Sequence, residues 1–361
     1  MSERDRLQVI RQRIDALDDE ILRLISERAR CAQEVATVKR ESDPEAQFYR
    51  PEREAQVLRR ILELNPGPLP GEETARLFRE IMSACLALEE PLTIAFLGPE
   101  GTFTQAAALK HFGHSVATRA LASIDEVFRE VESQTARFGV VPVENSTEGV
   151  VTHTLDRFMQ SPLQVCGEVE LRIHHHLLSR ETASVAIERV YSHQQSFAQC
   201  REWLDANLPG AERITVSSNA EAARRASKEP HTAAIAGEAA AALYELGTLA
   251  SNIEDFPDNT TRFLVIGRQA AEPSGQDKTS LMITTPNRPG SLFRVLEPFA
   301  RGGVSLTRIE SRPSHCVNWE YVFFVDIDGH QRDPKVAAAL SVLKNEAEML
   351  RVLGSYPRAV L

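Results

Sequence analysis

Three cations spaced along the first part of the chain could bind a small anionic ligand. Between Leu7 and Val38 the apolar residues alternate at spacings of three and four, and Arg28 stands at one position of that seam. A buried cation is unstable unless an anion neutralises it. Arg11 and Lys39 flank the same stripe, so the pattern predicts a cationic pocket that binds a negatively charged molecule.

The helix that carries these cations needs a second helix beside it. It is roughly 50 Å long at about 1.5 Å per residue, which exceeds the size of a small core. Arg11 and Lys39 are about 42 Å apart by the same rise and cannot share a small anion within one chain. In an antiparallel dimer, Arg11 of one subunit would approach Arg28 and Lys39 of the other. The alternative is a coiled-coil oligomerisation arm with one tolerated arginine.

The composition is that of an ordinary globular protein. The chain has 361 residues, of which 42% are hydrophobic and 25% charged, enough for two or three domains. A formal net charge of -10 argues against non-specific nucleic-acid binding. We expect no signal peptide and no membrane span, and therefore a cytoplasmic protein. Scattered cysteines without paired spacing fit reduced thiols there: Cys31, Cys85, Cys166, Cys200 and Cys316.

Changes in periodicity divide the chain into three expected domains, covering residues 1–91, 92–269 and 279–361, with a linker at 270–278. The first is all-α, the second alternates strands and helices as an α/β fold of two lobes, and the third reads as a βαββαβ unit of the α+β class. The expected helices of the first two domains include 7–38, 51–64, 72–89, 104–111 and 196–207. The expected strands of the second domain are 93–97, 138–143, 164–169, 189–192, 232–236 and 263–266.

Several short motifs follow one another in a fixed order. They are Gly98-Pro99-Glu100-Gly101-Thr102-Phe103, Val141-Pro142-Val143-Glu144-Asn145-Ser146, Tyr191-Ser192-His193, Thr261-Arg262-Phe263 and Glu310-Ser311-Arg312-Pro313. With the helical first segment, this set resembles the bifunctional chorismate mutase/prephenate dehydratase family of phenylalanine biosynthesis. The resemblance implies an intertwined-dimer mutase domain, a dehydratase domain of two periplasmic-binding-like lobes, and a C-terminal ACT regulatory domain.

For the mutase, the resemblance implies that the dianion chorismate rearranges to prephenate in one pericyclic step. Such a step needs no nucleophile, metal or cofactor, but it requires shape and charge. Arg28, Lys39 and the partner subunit's Arg11 would supply the cations. Arg53 and Glu54 are similar to the family's Arg-Glu pair, which completes the site and contacts the substrate hydroxyl.

The third helix departs from the family pattern. Glu89 occupies a position where some members carry glutamine, and Cys85, one turn earlier, stands where some carry serine. A glutamate must be protonated to donate a hydrogen bond to the ether oxygen of the substrate. We therefore expect the mutase reaction to slow as pH rises, unless burial raises the pKa of Glu89. The alternative is a solvated glutamate at the helix end.

For the dehydratase, prephenate must lose its ring hydroxyl and a carboxylate to give phenylpyruvate. This requires a proton donor to the leaving hydroxyl and anchors for two carboxylates. By resemblance, Thr261 would be the acid or polarising donor, Arg262 a carboxylate clamp, and Phe263 the third member of their motif. Further substrate contacts are expected at strand ends and at a strand-turn-helix opening: Thr102, Glu144, Asn145, Ser146, Ser192 and His193.

Two tempting readings are disfavoured by strand geometry. Ser192 and His193 are adjacent strand residues that point to opposite faces, so they do not form a nucleophile-base dyad. The run of three histidines at 174–176 places at most two on one face, with no further ligand at metal spacing, so we expect no metal site.

The third domain would bind free phenylalanine at a dimer interface, by resemblance. An inhibitor of this kind must bind the less active state more tightly. The alternative is a purely structural dimerisation module. The expected contacts are Asn287, Pro289, Gly290, Ser291, Leu292, Glu310, Ser311, Arg312 and Pro313.

Two other functions remain open from the sequence. One is a dehydratase that prefers arogenate, the amino analogue of prephenate, with a helical dimerisation arm. The other is a non-catalytic small-molecule binding protein of the periplasmic type. The retained cations of the first helix and the Thr261-Arg262-Phe263 motif argue for the bifunctional enzyme, with chorismate and prephenate as substrates and a homodimer or higher homo-oligomer as its form.

Overall fold

The structure is a computed structural model that describes residues 2–43, 46–286, 288–313 and 321–361. It contains an all-α segment, an α/β part with two separate sheets, and a four-stranded α+β unit. The expected fold class is confirmed. No helix among the described residues is long and apolar enough to cross a bilayer.

The helical segment consists of α1 (Glu3–Ser42), α2 (Pro51–Leu64) and α3 (Gly71–Glu89). Ser2 and Asp5 cap α1 reciprocally, which stabilises its first turn. α3 packs against both α1 and α2. Most of the apolar stripe of α1 nevertheless remains exposed in this single chain: Leu7, Ile10, Ile14, Leu17, Ile21, Leu24, Val35 and Val38.

The first lobe is built on a sheet in the order β2-β1-β3-β11-β5, in which β1 is parallel to β2 and β3, and β11 is antiparallel to both its neighbours. The short strand β4 pairs with β3. Its strands are β1 (Thr93–Leu97), β2 (Ala117–Leu121), β3 (Phe138–Asn145), β4 (Gly149–Val150), β5 (Gln164–Arg172) and β11 (Thr260–Gly267), and its helices are α4 (Phe103–Phe112), α5 (Ile124–Glu132) and α6 (Thr152–Gln160).

The second lobe is inserted between β5 and β11, so the chain crosses between the lobes twice. Its sheet has the order β10-β6-β9-β7-β8. Its strands are β6 (His176–Ser179), β7 (Arg189–Ser192), β8 (Glu212–Thr215), β9 (Thr232–Ala236) and β10 (Gly247–Ala250), and its helices are α7 (Gln194–Gln199), α8 (Arg201–Asn207), α9 (Asn219–Ala226) and α10 (Glu238–Leu243).

The C-terminal unit has the expected βαββαβ order and a sheet arranged β13-β14-β12-β15. One face of this sheet packs on its own two helices, and the other joins the hydrophobic core of the first lobe. Its elements are β12 (Asp277–Thr284), α11 (Ser291–Gly302), β13 (Leu306–Pro313), β14 (Tyr321–Asp328), α12 (Pro334–Glu346) and β15 (Met349–Pro357).

The join between the C-terminal unit and the first lobe is close-packed. Met282, Phe324 and Tyr356 share one buried cluster with Phe128 and Phe158 of the first lobe. β15 lies so close to β5 that a Cβ at Gly354 would collide with the backbone of Val165. The two parts therefore share one core.

Five strands of the two lobes were not predicted, and three of them are sheet edges. β2, β8 and β10 lie at edges, where polar and small residues replace the apolar pattern of a buried strand. The other two are β6 and the two-residue strand β4. The expected helix over 196–207 divides at Cys200, and the expected linker at 270–278 is wrong at its end because β12 already begins at Asp277.

Candidate functional sites

The helical segment brings cations and carboxyls together at the C-terminal half of α1. Burial raises the pKa of the carboxyl of Glu54 on α2 and of Glu89 on α3, and the positive charge of Arg28 opposes that rise at both. Lys39 also opposes it at Glu89. Four of the predicted site residues are thus electrostatically coupled across the three helices.

Burial controls the protonation of Glu89. Desolvation raises its pKa, and the charges of Lys39, Arg28 and Arg40 oppose that effect without cancelling it. Arg40 also donates a hydrogen bond to the backbone carbonyl of Glu89, and Lys39 donates to the carbonyl of Gln47 at 3.0 Å. A protonated Glu89 could therefore serve as a donor beside fixed positive charge.

Glu54 has a partner that the sequence did not indicate. Its Oε1 lies 3.1 Å from Nε of Arg79, and both side chains are largely buried. Desolvation raises the pKa of Glu54, while Arg79 and then Arg28 lower it. Arg79 also donates to the backbone carbonyl of His111 in the first lobe.

The other predicted residues of this site lie at different depths. Cys85 is buried one turn before Glu89. Arg53 is exposed on α2. Arg11 is also exposed, and lies about 26 Å along α1 from Arg28 at about 1.5 Å per residue. Within one chain Arg11 is remote from the other cations.

At the junction of the two lobes, Asn145 and Thr261 face each other across β3 and β11. Oδ1 of Asn145 accepts from the backbone N–H groups of Thr147 and Glu148 at 3.0 and 2.9 Å. Its Nδ2 must then donate, and it does so to Oγ1 of Thr261 at 2.8 Å. Because the Thr261 oxygen accepts this bond, its own proton is available to a third group.

The same amide begins a directional chain of hydrogen bonds. Asn145 also donates to Asn259 at 2.7 Å, and Asn259 donates to Oε1 of Gln199 at 3.1 Å. That oxygen then accepts from Nε2 of His175 at 2.8 Å. Nδ1 of His175 is left as a buried acceptor with no hydrogen-bond partner among the described residues. Burial lowers the pKa of His175, so the ring is neutral.

The sequence analysis missed Asn259, Gln199 and His175. His175 was considered only as a metal ligand, within a run of histidines that the structure separates. His174 contacts Glu254 at 2.8 Å and His176 accepts from the backbone of Asn252 at 3.2 Å.

The opposite face of the same two strands meets the C-terminal unit. Glu144 lies 3.2 Å from Nε of Arg308 on β13. Arg262 contacts the buried carboxylates of Glu168 at 2.8 Å and Asp326 at 2.6 Å, and donates to the hydroxyl of Tyr356 at 2.9 Å. The guanidinium of Arg262 is thus bound by its own chain on the face away from Thr261, and this geometry gives no support to the expected carboxylate clamp.

Phe263, Thr102 and Ser146 have structural contacts. Phe263 is 2% exposed within the core of the first lobe, and its contact with substrate stays a prediction. The hydroxyl of Thr102 donates to the carbonyl of Leu97 at 3.3 Å. The hydroxyl oxygen of Ser146 accepts from the backbone of Thr260 at 2.9 Å, which ties the ends of β3 and β11 together.

The side chains of Ser192 and His193 have different partners, but strand alternation is not the reason, because β7 ends at Ser192. The hydroxyl of Ser192 donates to Oδ1 of Asn219 at 3.3 Å. The backbone N–H of His193 donates to the same Asn219 oxygen as Ser192, at 3.1 Å. Nδ1 of His193 accepts from the backbone of Gln195 at 3.3 Å and caps α7. The two residues lie at the start of the helix that carries Gln199.

In the C-terminal unit, the residues predicted to bind phenylalanine lie in a turn and on an edge strand. Asn287 lies outside the described residues. Pro289 and Gly290 form the turn, where Gly290 has a φ of 79° before α11. Ser291 is buried at the start of α11 and Leu292 is exposed.

The remaining predicted residues lie on β13, at the edge of the sheet: Glu310, Ser311, Arg312 and Pro313. Arg312 binds Asp156 of α6 through two nitrogens, at 3.0 and 2.8 Å. It therefore contacts the first lobe in this structure.

Comparisons with known proteins give matches to all three parts of the chain. Residues 10–90, 94–271 and 279–345 match the family models described as chorismate mutase type II, prephenate dehydratase and ACT domain. The chain is 61% identical to a bifunctional chorismate mutase/prephenate dehydratase of Stutzerimonas stutzeri, over 100% of both proteins.

Two solved structures are also similar. One is a prephenate dehydratase from Arthrobacter aurescens in complex with L-Phe, with a TM-score of 0.69 and 37% identity over 74% of this chain and 90% of that one. The other is the prephenate dehydratase of Staphylococcus aureus, with a TM-score of 0.66 and 28% identity over 73% of this chain and 100% of that one.

The fold and the matching family models define an enzyme with a mutase domain and a dehydratase domain. The chain belongs to the bifunctional chorismate mutase/prephenate dehydratase family. It catalyses both reactions, in the biosynthesis of phenylalanine.

Proposed function

We propose that the junction of α1, α2 and α3 is the chorismate mutase centre and that a second, antiparallel chain completes it. The exposed apolar stripe of α1 supports this, because such a stripe is stable in water only when another surface covers it. Arg11 then reaches the partner subunit's site. The two carboxylates of chorismate are bound by Arg28, Lys39 and the partner subunit's Arg11. Arg53 and Cys85 line the pocket.

The proposed role of these groups is positioning and electrostatic stabilisation. Cations hold the compact reactive conformer of chorismate, and protonated Glu89 donates to the ether oxygen as negative charge develops there. Glu54 accepts from the substrate hydroxyl. The carbon-oxygen bond breaks as the new carbon-carbon bond forms, with no proton transferred overall.

For the second reaction, the proposed centre is the junction of the lobes around Thr261. The carbon-oxygen bond of the prephenate hydroxyl breaks while the ring carboxylate leaves as carbon dioxide, and its bonding electrons make the ring aromatic. The leaving hydroxide takes a proton and becomes water. The available proton of Thr261, fixed by the Asn145 amide, is the observation that supports this role.

We propose that Asn145, Ser146, Thr102, Ser192 and His193 border the prephenate site. Glu144 and Arg262 position it from the other face of the sheet rather than contact substrate.

We also propose that phenylalanine binds the C-terminal unit and inhibits the enzyme. The related structure from Arthrobacter aurescens contains L-Phe, and Arg308 and Arg312 of β13 contact the first lobe directly. Binding at the turn 288–292 and at 310–313 would thereby bias the strands that carry Asn145 and Thr261. Domain limits at 1–91, 92–269 and 279–361, a cytoplasmic location and a homodimer belong to the same proposal.

The decisive experiment supplies chorismate to the purified full chain and follows prephenate and phenylpyruvate separately. Arg28→Ala should abolish only prephenate formation, and Thr261→Ala only its conversion to phenylpyruvate. Loss of both activities from either change, in protein that remains folded, would contradict two separate centres. Supplying arogenate in parallel tests the amino analogue as the preferred substrate.

A further inference from the structure

We propose that Arg79 is a positioning residue for the chorismate rearrangement, and that it holds Glu54 from an anchor on the first lobe. This rests on the proposed role of Glu54 as the group that accepts from the substrate hydroxyl. The mutase centre would then depend on a contact that an isolated helical segment lacks.

The geometry of Arg79 joins the two parts. Nε lies 3.1 Å from Oε1 of Glu54 in an ion pair but makes no hydrogen bond among the described residues. Nη1 donates to the backbone carbonyl of His111 at the C-terminal end of α4. Arg79 is 7% exposed. Because a buried guanidinium is costly without partners, both contacts constrain its position.

The anchor is itself rigid and uncharged. The His111 side chain is partly buried, and its Nε2 contacts the Tyr49 hydroxyl at 2.8 Å. Burial, aided by the charge of Arg79, lowers the pKa of His111 to about 3, so the ring stays neutral. Its backbone carbonyl therefore accepts from Arg79 without competing positive charge from the ring.

All three parts of the chain meet around this contact. A cavity beside Glu54 and Arg79 is lined by Tyr49 and Ala55 of the helical segment. The first lobe contributes Gly167 and Glu168, and the C-terminal residues 357–360 complete its wall. The position of Glu54 is thus set by the assembled molecule as well as by α2.

The charged and titratable groups around Glu54 predict how its protonation would change. Burial favours the protonated form of Glu54, and Arg79 of α3 and Arg28 of α1 favour the carboxylate. The Tyr49 hydroxyl nearby is buried in the same low-dielectric surroundings. Without Arg79, only Arg28 would oppose desolvation. The pKa of Glu54 would rise, and more of the carboxyl would be protonated at a given pH.

The test uses the full chain with Arg79→Gln, which can still donate to the His111 carbonyl but lacks the charge. We expect the kcat of the chorismate step to fall roughly tenfold or more with little change in KM, because the carboxylate of Glu54 is no longer held as an oriented, charged acceptor. The acid limb of its pH profile should move to higher pH. Arg79→Lys should restore part of the rate and of the acid limb.

Two controls separate this role from a general loss of structure. Prephenate dehydratase activity of the same Arg79→Gln preparation should stay within twofold of wild type. Arg76→Gln, one turn earlier on α3, removes an exposed arginine that pairs with Glu73 of its own helix and should leave both activities unchanged.

The proposal would be overturned if Arg79→Gln kept a mutase rate within twofold of wild type and an acid limb at the same pH. A parallel loss of both activities that Arg79→Lys does not relieve would also overturn it. Glu54→Gln tells this failure from that of the proposed function. If Glu54→Gln abolishes the mutase while Arg79→Gln does not, only the role of Arg79 falls. If Glu54→Gln is itself active, the role proposed for Glu54 falls first.

Discussion

Glu54 and Glu89 show how one environment can support two protonation states. Burial raises the pKa of both carboxyls, and Arg28 lowers both. Arg79 and Arg28 favour the carboxylate at Glu54, and Lys39, Arg28 and Arg40 act in the same direction on Glu89. The proposed mechanism uses Glu54 ionised and Glu89 protonated, so the mutase should have an optimum between two titrations.

The first prediction concerns Glu89. As pH rises through its raised pKa, Glu89 loses the proton that it donates, so the mutase rate should fall on the alkaline side. Glu89→Gln should flatten that limb, because an amide donates at any pH. The measurement is kcat for chorismate between about pH 5 and 9, with Glu90→Gln as the neighbouring control. An unchanged alkaline limb in Glu89→Gln would contradict the donor role.

The second prediction concerns Arg262. Arg262→Met would leave the buried carboxylates of Glu168 and Asp326 without their shared cation, and only Lys278 would still face Glu168. We expect the free energy of unfolding to fall by about 3–5 kcal/mol. Arg172→Met, which breaks an exposed pair with Asp258, should cost no more than about 1 kcal/mol. Urea unfolding followed by circular dichroism measures both, and equal small losses would contradict the prediction.

The pH dependence of this network follows from Asp326. Its neighbours hold its pKa below the usual value despite burial. The stabilising contribution is therefore fully present above the unfolded pKa of about 3.9 and is lost as pH falls through the lower folded value.

Residue roles were predictable only where a local pattern carried them. Arg28 could be found because a charge interrupts an apolar seam. Arg79 could not, since its partner His111 in the first lobe is 32 positions away. The opposite faces of Thr261 and Arg262 were within reach, because the alternation used to separate Ser192 from His193 applies equally to them.

At the scale of elements, β3 and β11 carry two sets of polar residues on opposite faces. Asn145 and Thr261 face the junction of the lobes, and Glu144 and Arg262 face the C-terminal sheet. A shift of either strand would move both sets together. Under the proposed function, this pairing would connect the C-terminal unit directly to the dehydratase centre.

The third prediction concerns the exposed stripe of α1. Ile14→Glu combined with Ile21→Glu should prevent an antiparallel partner from packing, because two charges would be buried in the seam. Sedimentation should show a smaller species, and mutase activity should be lost with Arg11 no longer delivered. Gln12→Glu with Gln33→Glu adds the same charge at other positions and should preserve both. A double isoleucine variant that sediments and reacts as wild type would exclude this interface.

Long amphipathic and buried elements were predictable, while short exposed ones were not. α2 was predicted with its observed bounds, because Pro51 begins it and the 65–68 run ends it. β2 and β8 were missed, since their residues are mostly exposed at sheet edges and carry no apolar alternation. The chain crossings that unite Gln199 with Asn259, 60 positions apart, have no local signal.

At the scale of the whole molecule, the three parts contact one another through charged side chains. Arg79 connects the helical segment to the first lobe, and Arg308, Arg312 and Arg262 connect the first lobe to the C-terminal unit. Coupling between an inhibitor and an active site is a free energy shared between such contacts. The number of contacts suggests that no single one carries all of it.

The fourth prediction tests the contact nearest to Asn145. Arg308→Met should weaken inhibition by phenylalanine, with the half-inhibitory concentration rising about fivefold, at the lower end of typical coupling energies. Arg301→Met removes an exposed arginine that pairs with Glu297 on α11 and should leave inhibition unchanged. The measurement is phenylpyruvate formation across a phenylalanine titration. Equal inhibition of Arg308→Met and wild type would exclude this route.

The core shared by β15 and β5 also bears on how the enzyme would respond to a protease. The connection near Pro273 and Gly275 is exposed, so a cut could sever the peptide backbone there. Met282, Phe324 and Tyr356 would still be buried against the first lobe. The two pieces of the cut chain should migrate together under native conditions and separate only in denaturant. The C-terminal unit would then stay folded against the first lobe without a covalent connection.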